Sequence, residues 1–328
     1  MFPVRTEADF EQMLRAAKAL AVASAWSALG LFDLLAERPR LPEELPIDQR
    51  ALRTTVPVLR HMGLIVEDGA RVGLSAMGRR MHAAGELPTE RSLENLRDQG
   101  RMIDVLQNGG PVLDDAGASR GTDGGVVVGD AERTARFLDM LYDMSADSAP
   151  STFGWLAPLL PPGGAMLDLG GGHGRYARTF ADAGFASTIF DFAPVIDYSR
   201  ARHGDRLSYR AGDFRDEAVD FGGPYDLVLL SNIVHGEPAD QNLSLISRLA
   251  RTLGPGGHLV LKDMFLGGQG RDPAQPVFFG LTMLFYTRAG ESPDLDAARG
   301  WLSSAGLDAI GVMRMDGFEL VRGRRPLP

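Results

Sequence analysis

From Gly163 onward, short apolar runs alternate with amphipathic stretches, and this alternation constrains the fold more than any other feature of the sequence. Strands that alternate with helices need crossover connections, which place the strands parallel in one sheet. The end of the chain differs, because Asp316-Gly317 lies between two apolar runs and predicts a hairpin. We therefore expect an α/β fold with a Rossmann-like parallel sheet and one antiparallel strand. The strand-like runs are 166–169, 187–190, 207–211, 225–230 and 258–265, with a helix over 239–253.

The first ninety residues have a different pattern, which is two helices followed by a small hairpin. Residues 16–35 are apolar on all sides, which predicts a helix buried either in a core or against a partner. Asp48 is placed to cap a second helix, 48–62, which we expect to kink or split at Pro57. The polar tip 67–69 between apolar flanks predicts a hairpin. Helix, helix and hairpin are typical of a winged-helix domain.

Domain boundaries follow from these patterns. We predict a mainly helical winged-helix domain over residues 1–107 and a linker with a connecting helix over 108–150. The sheet domain then covers 151–328. Within the linker, residues 108–130 are crowded with Gly, Asp, Pro and Ser, which is typical of an exposed connection.

Composition narrows the class of protein. The 34 basic and 43 acidic residues give a net charge of -9, which argues against a nucleic-acid binder. The chain has no cysteine, which excludes disulfides and thiolate metal sites. The longest apolar runs, 19–32 and 275–287, are shorter than the roughly 18 to 20 residues that a membrane span needs. We therefore expect a cytoplasmic protein with no nucleic-acid or membrane partner.

A glycine-rich segment, residues 170–174, joins the first strand of the predicted sheet to a helix that starts near Arg175. Such a loop lets a ligand approach the backbone where open α/β sheets bind nucleotides, and a structural tight turn is the alternative. The dinucleotide fingerprint needs Gly or Ala where this chain has Arg175. Asp168 precedes the loop, where a carboxylate repels a pyrophosphate and attracts an ammonium or sulfonium cation. We predict that Asp168, Gly170 and Gly172 bind a cofactor.

Two further acids follow the next two strands. Asp191 ends the second strand 19 residues after Gly172, where a carboxylate binds both ribose hydroxyls. A helix cap is the alternative interpretation of Asp191. After the third strand, Asp213 is placed to accept a hydrogen bond from an adenine amino group and Phe214 to cover a ring face, although a Gly-Asp pair alone is typical of a plain turn. Together with Asp168 and the terminal hairpin, these acids favour S-adenosylmethionine over NAD.

With these residues, the sequence resembles the bacterial relatives of the plant-type small-molecule O-methyltransferases. The matching stretches are 166–172, 190–196, 211–214, 230–235 and 253–260, and the N-terminal pattern with 75–78 is similar to the family's dimerisation domain. The resemblance implies a methyltransferase sheet, S-adenosylmethionine as the methyl donor, a small-molecule acceptor and a homodimer formed through residues 1–107. Asn232, within the fourth stretch, is then also expected to contact the cofactor.

The resemblance also implies a catalytic set. The family's general base is a histidine just after the fourth strand, which corresponds to His235, and its two supporting acids correspond to Asp263 and Glu291. A neutral imidazole, with a pKa near 6.5, takes the proton of a phenol as the new bond forms. A histidine that only bonds the backbone at a strand end is the alternative. The chain has Gly236-Glu237 after His235 where the family has Asp-Trp, whose Trp packs against adenine.

Several functions and roles stay open at this level. The same fold and cofactor serve N- or C-methylation, or a non-methylating reaction. A winged-helix DNA-binding regulator is the alternative from a different class, and the acidic tip Glu67-Asp68 argues against it. We expect no metal. Apolar residues that either line an acceptor pocket or fill the core are Met140, Met144, Phe278, Phe279, Met283 and Phe285.

Overall fold

The computed structural model describes residues 4–113, 131–267, 274–315 and 317–328. Contacts between residues divide the chain into two compact units, Met1–Ile103 and Asp104–Pro328. Most of the predicted connection 108–130 lies outside the described residues, as does Asp316 of the predicted Asp-Gly turn. The assignment of a dimerisation domain, a linker and a catalytic domain stays a prediction.

The first unit is mainly helical. Among the described residues, no single helix has the length and apolar composition of a membrane span, and its first two helices pass that test only when taken together as a pair bent by 68°. The elements of this unit are α1 (Glu7–Ala28), α2 (Leu31–Glu37), α3 (Gln49–His61), β1 (Ile65–Asp68), β2 (Arg71–Leu74), α4 (Ala76–Ala83) and α5 (Glu90–Gln99).

Helices α1 and α2 correct the prediction of one buried helix over 16–35. Helix α1 starts at a capping box, in which Thr6 and Asp9 each accept a hydrogen bond from the other's backbone N–H. The helix is interrupted at Gly30. Its φ of 66° lies in the left-handed region, which a glycine adopts with little steric strain. Leu20 and Leu29 are 40% and 60% exposed, so the core of this chain does not bury every side of the segment, and burial against a partner stays a prediction.

The second helix and the hairpin confirm their predictions. Asp48 caps α3 by accepting a hydrogen bond from the Ala51 N–H at 2.9 Å. Helix α3 continues through Pro57 instead of splitting there. Strands β1 and β2 pair antiparallel, with Ile65 opposite Leu74.

The second unit alternates strands and helices, as the sequence pattern predicts. Helix α6 (Met102–Asn108) crosses the division between the units, and α7 (Ala131–Met144) and α8 (Ser148–Leu156) precede the sheet. The elements that follow are β3 (Ala165–Leu169), α9 (Arg175–Asp182), β4 (Ala186–Asp191), α10 (Ala193–His203), β5 (Ser208–Ala211), β6 (Tyr225–Ser231), α11 (Ala239–Arg251), β7 (Leu253–Asp263), α12 (Ala274–Tyr286), α13 (Leu295–Ser304), β8 (Asp308–Met315) and β9 (Phe318–Arg324).

Within the described residues these strands form a seven-stranded sheet in the order β5-β4-β3-β6-β7-β9-β8. Strands β3 to β7 pair parallel, whereas β9 pairs antiparallel with both β7 and β8. This arrangement confirms the predicted fold class, although the reversed strand β9 lies inside the sheet and β8 forms the edge. The fifth strand starts earlier than predicted, because Leu253 already pairs with Tyr225.

Helices cover both faces of the sheet and bury alternate side chains of each strand. Helices α11 and α13 pack on the face that carries Leu167, Val228 and Leu259. Helices α8 and α9 pack on the opposite face, which carries Met166 and Leu227. All five of these side chains are fully buried, which fixes the register of the central strands and therefore the position of their carboxyl ends.

Candidate active site

The carboxyl ends of five neighbouring parallel strands carry the polar residues that the sequence analysis selected. In spatial order from β5 to β7 these residues are Asp213, Asp191, Asp168, Asn232 and Asp263. Ligands of open α/β sheets bind at the carboxyl ends of the strands, at the point where the strand order changes direction. In this sheet that point lies between β3 and β6. The fold therefore places residues from five separate stretches of sequence along one edge.

The loop between β3 and α9 adopts a backbone that favours glycine. Gly170, Gly172 and Gly174 have φ values of 64°, 50° and 75°, in the left-handed region. A Cβ at Gly170 would lie 2.2 Å from Cδ1 of Ile233. The Gly170 N–H donates to the carbonyl of Phe190 at 2.8 Å, which holds the loop against β4. Gly170 and Gly172, both partly exposed, therefore present backbone without side chains beside the end of β4.

Asp168 is buried directly beneath this loop. Asp168 is 1% exposed, and its Oδ2 accepts a hydrogen bond from the Ala177 N–H at 3.1 Å. The loss of hydration raises the pKa of Asp168 to about 7, and the nearby Asp191 carboxylate adds to the rise. Two carboxylates close together without a cation disfavour their own ionisation. A positively charged ligand at this edge reverses that effect.

Asp191 connects the glycine loop to the start of α10. Its Oδ2 accepts from the Gly172 N–H at 2.9 Å, and its Oδ1 accepts from the Phe192 N–H at 2.7 Å. Burial raises the pKa of Asp191 to about 6. Each carboxylate oxygen has a second lone pair, so these contacts leave Asp191 able to accept from the hydroxyls of a ligand.

Asp213 and Phe214 follow β5, and they differ in their surroundings. Asp213 Oδ1 accepts from the Arg215 N–H at 2.9 Å, which forms the turn that the Gly-Asp pair suggested. Phe214 is 8% exposed and packs in the core with Phe190 and Phe221. Asp213 is partly buried whereas Phe214 is buried, so Asp213 is the more accessible of the two residues.

Asn232 follows β6 in the left-handed backbone region, which few residues other than glycine and asparagine adopt readily. Its φ is 59°, and its backbone N–H donates to the Lys262 carbonyl at 2.9 Å. Its side-chain Oδ1 is buried and has no hydrogen-bond partner among the described residues. Because a buried acceptor without a partner costs free energy, this atom is suited to a ligand that donates a hydrogen bond.

His235 and Asp263 form a directly bonded pair. His235 Nδ1 lies 2.9 Å and 3.1 Å from the two carboxylate oxygens of Asp263. Asp263 is fully buried and also accepts from the Met264 N–H at 2.8 Å, whereas the His235 side chain is 16% exposed. Since the carboxylate accepts, Nδ1 is assigned as the donor, and Nε2 is left as an acceptor without a partner among the described residues.

Glu291 reaches His235 through its backbone and not through its carboxylate. The Glu291 N–H donates to the His235 carbonyl at 2.9 Å. The Glu291 side chain is exposed, and the structure gives it no hydrogen bond to the imidazole. Gly290 allows this approach, because a Cβ there would lie 2.7 Å from the His235 carbonyl oxygen.

Of the apolar residues predicted to line an acceptor pocket or fill the core, Phe279 contacts the imidazole. The Phe279 ring meets His235 edge to face at a centroid distance of 4.8 Å. Met283 and Phe285 are buried, whereas Phe278 and Met144 are 48% and 71% exposed. Among the described residues, no group of three or more His, Asp or Glu side chains is placed to hold a metal ion.

Sequence reasoning predicted a connecting helix within 108–150 but missed that this helix, α7, packs on the glycine loop. Its Tyr142 ring lies between two guanidinium groups, 3.6 Å from Arg175 and 3.8 Å from Arg202. Leu138 lies 3.5 Å from the position of a Cβ on Gly172. The sequence signal for this contact was weak. The apolar stripe of α7 predicts that the helix packs against the protein, but not which segment it contacts.

Comparisons with known proteins agree with this geometry. Residues 127–308 match the family model described as O-methyltransferase domain. The chain is 27% identical to demethylspheroidene O-methyltransferase of Rhodobacter capsulatus over 45% of its own length and 37% of that protein. It is 24% identical to the tetracenomycin polyketide synthesis 8-O-methyl transferase TcmO of Streptomyces glaucescens over 91% of both chains.

Solved structures with the same fold are similar over almost the whole chain. A protein of the O-methyltransferase family from Burkholderia thailandensis superposes with a TM-score of 0.78, at 21% identity and 99% coverage of both chains. Human N-acetylserotonin methyltransferase, solved in complex with S-adenosylmethionine, gives a TM-score of 0.72 at 19% identity, covering 99% of this chain and 100% of that one.

Proposed function

Because the chain belongs to the O-methyltransferase family, we propose that it transfers a methyl group from S-adenosylmethionine to a hydroxyl of a small aromatic or polyketide-like metabolite. The family match confirms the resemblance stated from the sequence. The observation that carries the activity is the His235–Asp263 pair beside a row of acids and a glycine loop at one sheet edge. The polyketide class is supported by TcmO, which aligns over 91% of both chains.

The residues present fit this methyl donor. Asp168 and Asp191 have raised pKa values of about 7 and about 6, and a cation at this edge favours their ionised forms. S-adenosylmethionine supplies a methyl group on a positively charged sulfur. Asp191 is positioned for the ribose hydroxyls and Asn232 Oδ1 for a donor such as an ammonium group. Gly170 and Gly172 leave room for the ligand beside the backbone.

His235 acts as the general base in this proposal. Its Nε2 takes the proton of the acceptor hydroxyl, while Asp263 holds the Nδ1–H and stabilises the imidazolium that forms. Phenols have a pKa near 10, so removal of the proton as the methyl group is transferred lowers the barrier. Glu291 contributes its backbone N–H, which restrains the His235 carbonyl.

Apolar side chains of α12 support an aromatic acceptor. Phe279 contacts the imidazole ring, and Met283, one helical turn further on, is buried. A flat apolar acceptor held against these side chains would place its hydroxyl near Nε2. Positioning of this kind accounts for much of the catalysis expected of a methyl transfer.

A homodimer formed through the first unit is part of the proposal. Helix α1 exposes Phe10 and Leu14, each 50% exposed, and Leu20, 40% exposed. Phe10 and Leu14 are four residues apart and so lie on one face of the helix. Sedimentation velocity tests the dimer, and Leu14→Glu is expected to shift the protein towards the monomer.

The activity is tested with purified protein, S-adenosylmethionine and a panel of phenols and hydroxylated aromatic polyketides. Mass spectrometry should detect S-adenosylhomocysteine and an O-methylated product, and the product also distinguishes O- from N- or C-methylation. His235→Ala should retain cofactor binding but lower kcat at least about tenfold. Asp191→Ala should lose cofactor binding in calorimetry. A fully active His235→Ala variant would remove His235 from the mechanism.

A further inference from the structure

One cavity of the second unit lies beside the residues described so far and involves the two residues that follow His235. It measures about 350 Å³ and lies between the loop after β5 and the start of α11. Phe214 and Arg215 contribute from the loop, and Glu237, Asp240 and Gln241 contribute from the segment that begins α11. We name this space the Glu237 cavity.

An ion pair joins the two sides of the Glu237 cavity. Arg215 Nε and Nη2 both donate to Glu237 Oε1, at 2.8 Å and 2.6 Å. The Glu237 side chain is 6% exposed and that of Arg215 is 30% exposed. Asn242 fixes the backbone, because its Nδ2 donates to the carbonyls of Glu237 and Val234. The carboxylate of Glu237 is therefore held in one position before any ligand binds.

This pairing uses only one oxygen of a buried carboxylate. Both Arg215 donors converge on Oε1, whereas Oε2 has no hydrogen-bond partner among the described residues. A bidentate pairing would have occupied both oxygens. Because Glu237 lines the cavity, its Oε2 is an anionic acceptor that is suited to a hydrogen bond from a ligand.

Arg215 also links Glu237 to the row of acids at the sheet edge. Its backbone N–H bonds Asp213 Oδ1 while its side chain bonds Glu237, so one residue orients both carboxylates. Its guanidinium lies 5.6 Å from the centre of the Phe214 ring. Within the cavity, the Glu237 acceptor thus lies near two flat groups, the Arg215 guanidinium and the Phe214 ring, a combination that suits a planar heterocycle bearing an amino group.

We propose that Glu237, oriented by Arg215, selects the amino group on the adenine of the methyl donor; this inference rests on the proposed function. The exocyclic amino group donates a hydrogen bond to Glu237 Oε2, which faces the cavity. A base with a carbonyl oxygen at the same position presents an acceptor to the Glu237 carboxylate, which then receives no hydrogen bond from the ligand, and is rejected. Glu237 is thus a specificity residue for the cofactor.

The test compares two ligands that differ at that one group, S-adenosylhomocysteine and S-inosylhomocysteine, by calorimetry on the full chain. The wild type should bind the adenine compound at least about tenfold more tightly. Glu237→Gln keeps the shape of the side chain but gains N–H donors that pair with a carbonyl oxygen. Its preference for the adenine compound should therefore fall at least about fivefold. Glu217→Gln, at an exposed residue of the same cavity, is the matched control and should keep the wild-type ratio.

The outcomes separate this inference from the proposed function. A wild type that binds neither compound contradicts the proposed function. A wild type that binds both equally overturns the role of Glu237 and leaves the methyl donor intact. If Glu237→Gln is folded by circular dichroism and keeps the wild-type ratio, the ion pair only connects two loops and the inference is wrong.

Discussion

Replacement of Asp168 by Asn tests whether the ligand-free protein carries an electrostatic cost at the proposed cofactor site. Asp168 is 1% exposed, and burial raises its pKa from 3.8 to about 7. Between these two values the folded protein holds a proton that the unfolded chain has released. The contribution of Asp168 to stability is therefore most favourable at low pH and declines as the pH rises towards 7.

The size of this effect follows from the shift in pKa. At about 1.36 kcal/mol per pKa unit, two units separate pH 5 from the folded-state pKa, which gives a loss of about 3 kcal/mol between pH 5 and pH 8. Asn cannot ionise, so the variant lacks this loss. Its amide oxygen still accepts from the Ala177 N–H, and any cost of its buried N–H groups is the same at both pH values.

Urea unfolding of ligand-free protein at pH 5 and pH 8 measures the difference. The free energy of unfolding of Asp168→Asn, relative to the wild type, should be about 3 kcal/mol more favourable at pH 8 than at pH 5. Asp197→Asn, at an exposed residue of α10, is the control and should show no such change. A relative stability of Asp168→Asn that is equal at both pH values would refute the reasoning.

Three further predictions concern catalysis and binding. Asp263→Asn should lower kcat at least about a hundredfold in a methyl-transfer assay with cofactor affinity unchanged, because His235 loses the carboxylate that orients it; activity within threefold of wild type would contradict this. Gly170→Ala should weaken cofactor binding in calorimetry and lower stability by about 1–3 kcal/mol, and Ile233→Val in the same chain should recover part of both losses, since the new Cβ meets that side chain. Protonation of Asp191, with a pKa near 6, should weaken S-adenosylmethionine binding as the pH falls from 8 to 5, and should weaken binding of S-adenosylhomocysteine, which lacks the sulfonium charge, less; an equal pH dependence for both ligands would show that the sulfonium charge is not the cause.

The sheet and its row of polar residues could be predicted because their signals are local. Apolar runs of strand length, a glycine loop and acids at the end of each run lie within a few residues of one another. Parallel pairing then brings Asp168, Asp191 and Asp213 to one edge without any knowledge of side-chain packing. His235 and Asp263 followed from a family resemblance, and their contact depends on β6 and β7 being neighbours.

Features set by tertiary contacts could not be predicted in the same way. Glu237 and Arg215 are 22 residues apart and lie on different loops, so no periodic pattern links them. Glu291 has the residue type of a supporting acid, but packing turns only its backbone towards His235. Gly30 breaks an apolar run whose composition alone favours one continuous helix.

The strand order separates two tasks along the sheet edge. Asp213, Asp191 and Asp168 lie at the ends of β5, β4 and β3, whereas the His235–Asp263 pair lies at the ends of β6 and β7. Neighbouring strands are about 4.8 Å apart, so these two groups occupy different ends of an edge about 19 Å long. Changes in the segment after β7, including α12, can therefore alter the accepted metabolite while Asp168, Asp191 and Asp213 stay the same.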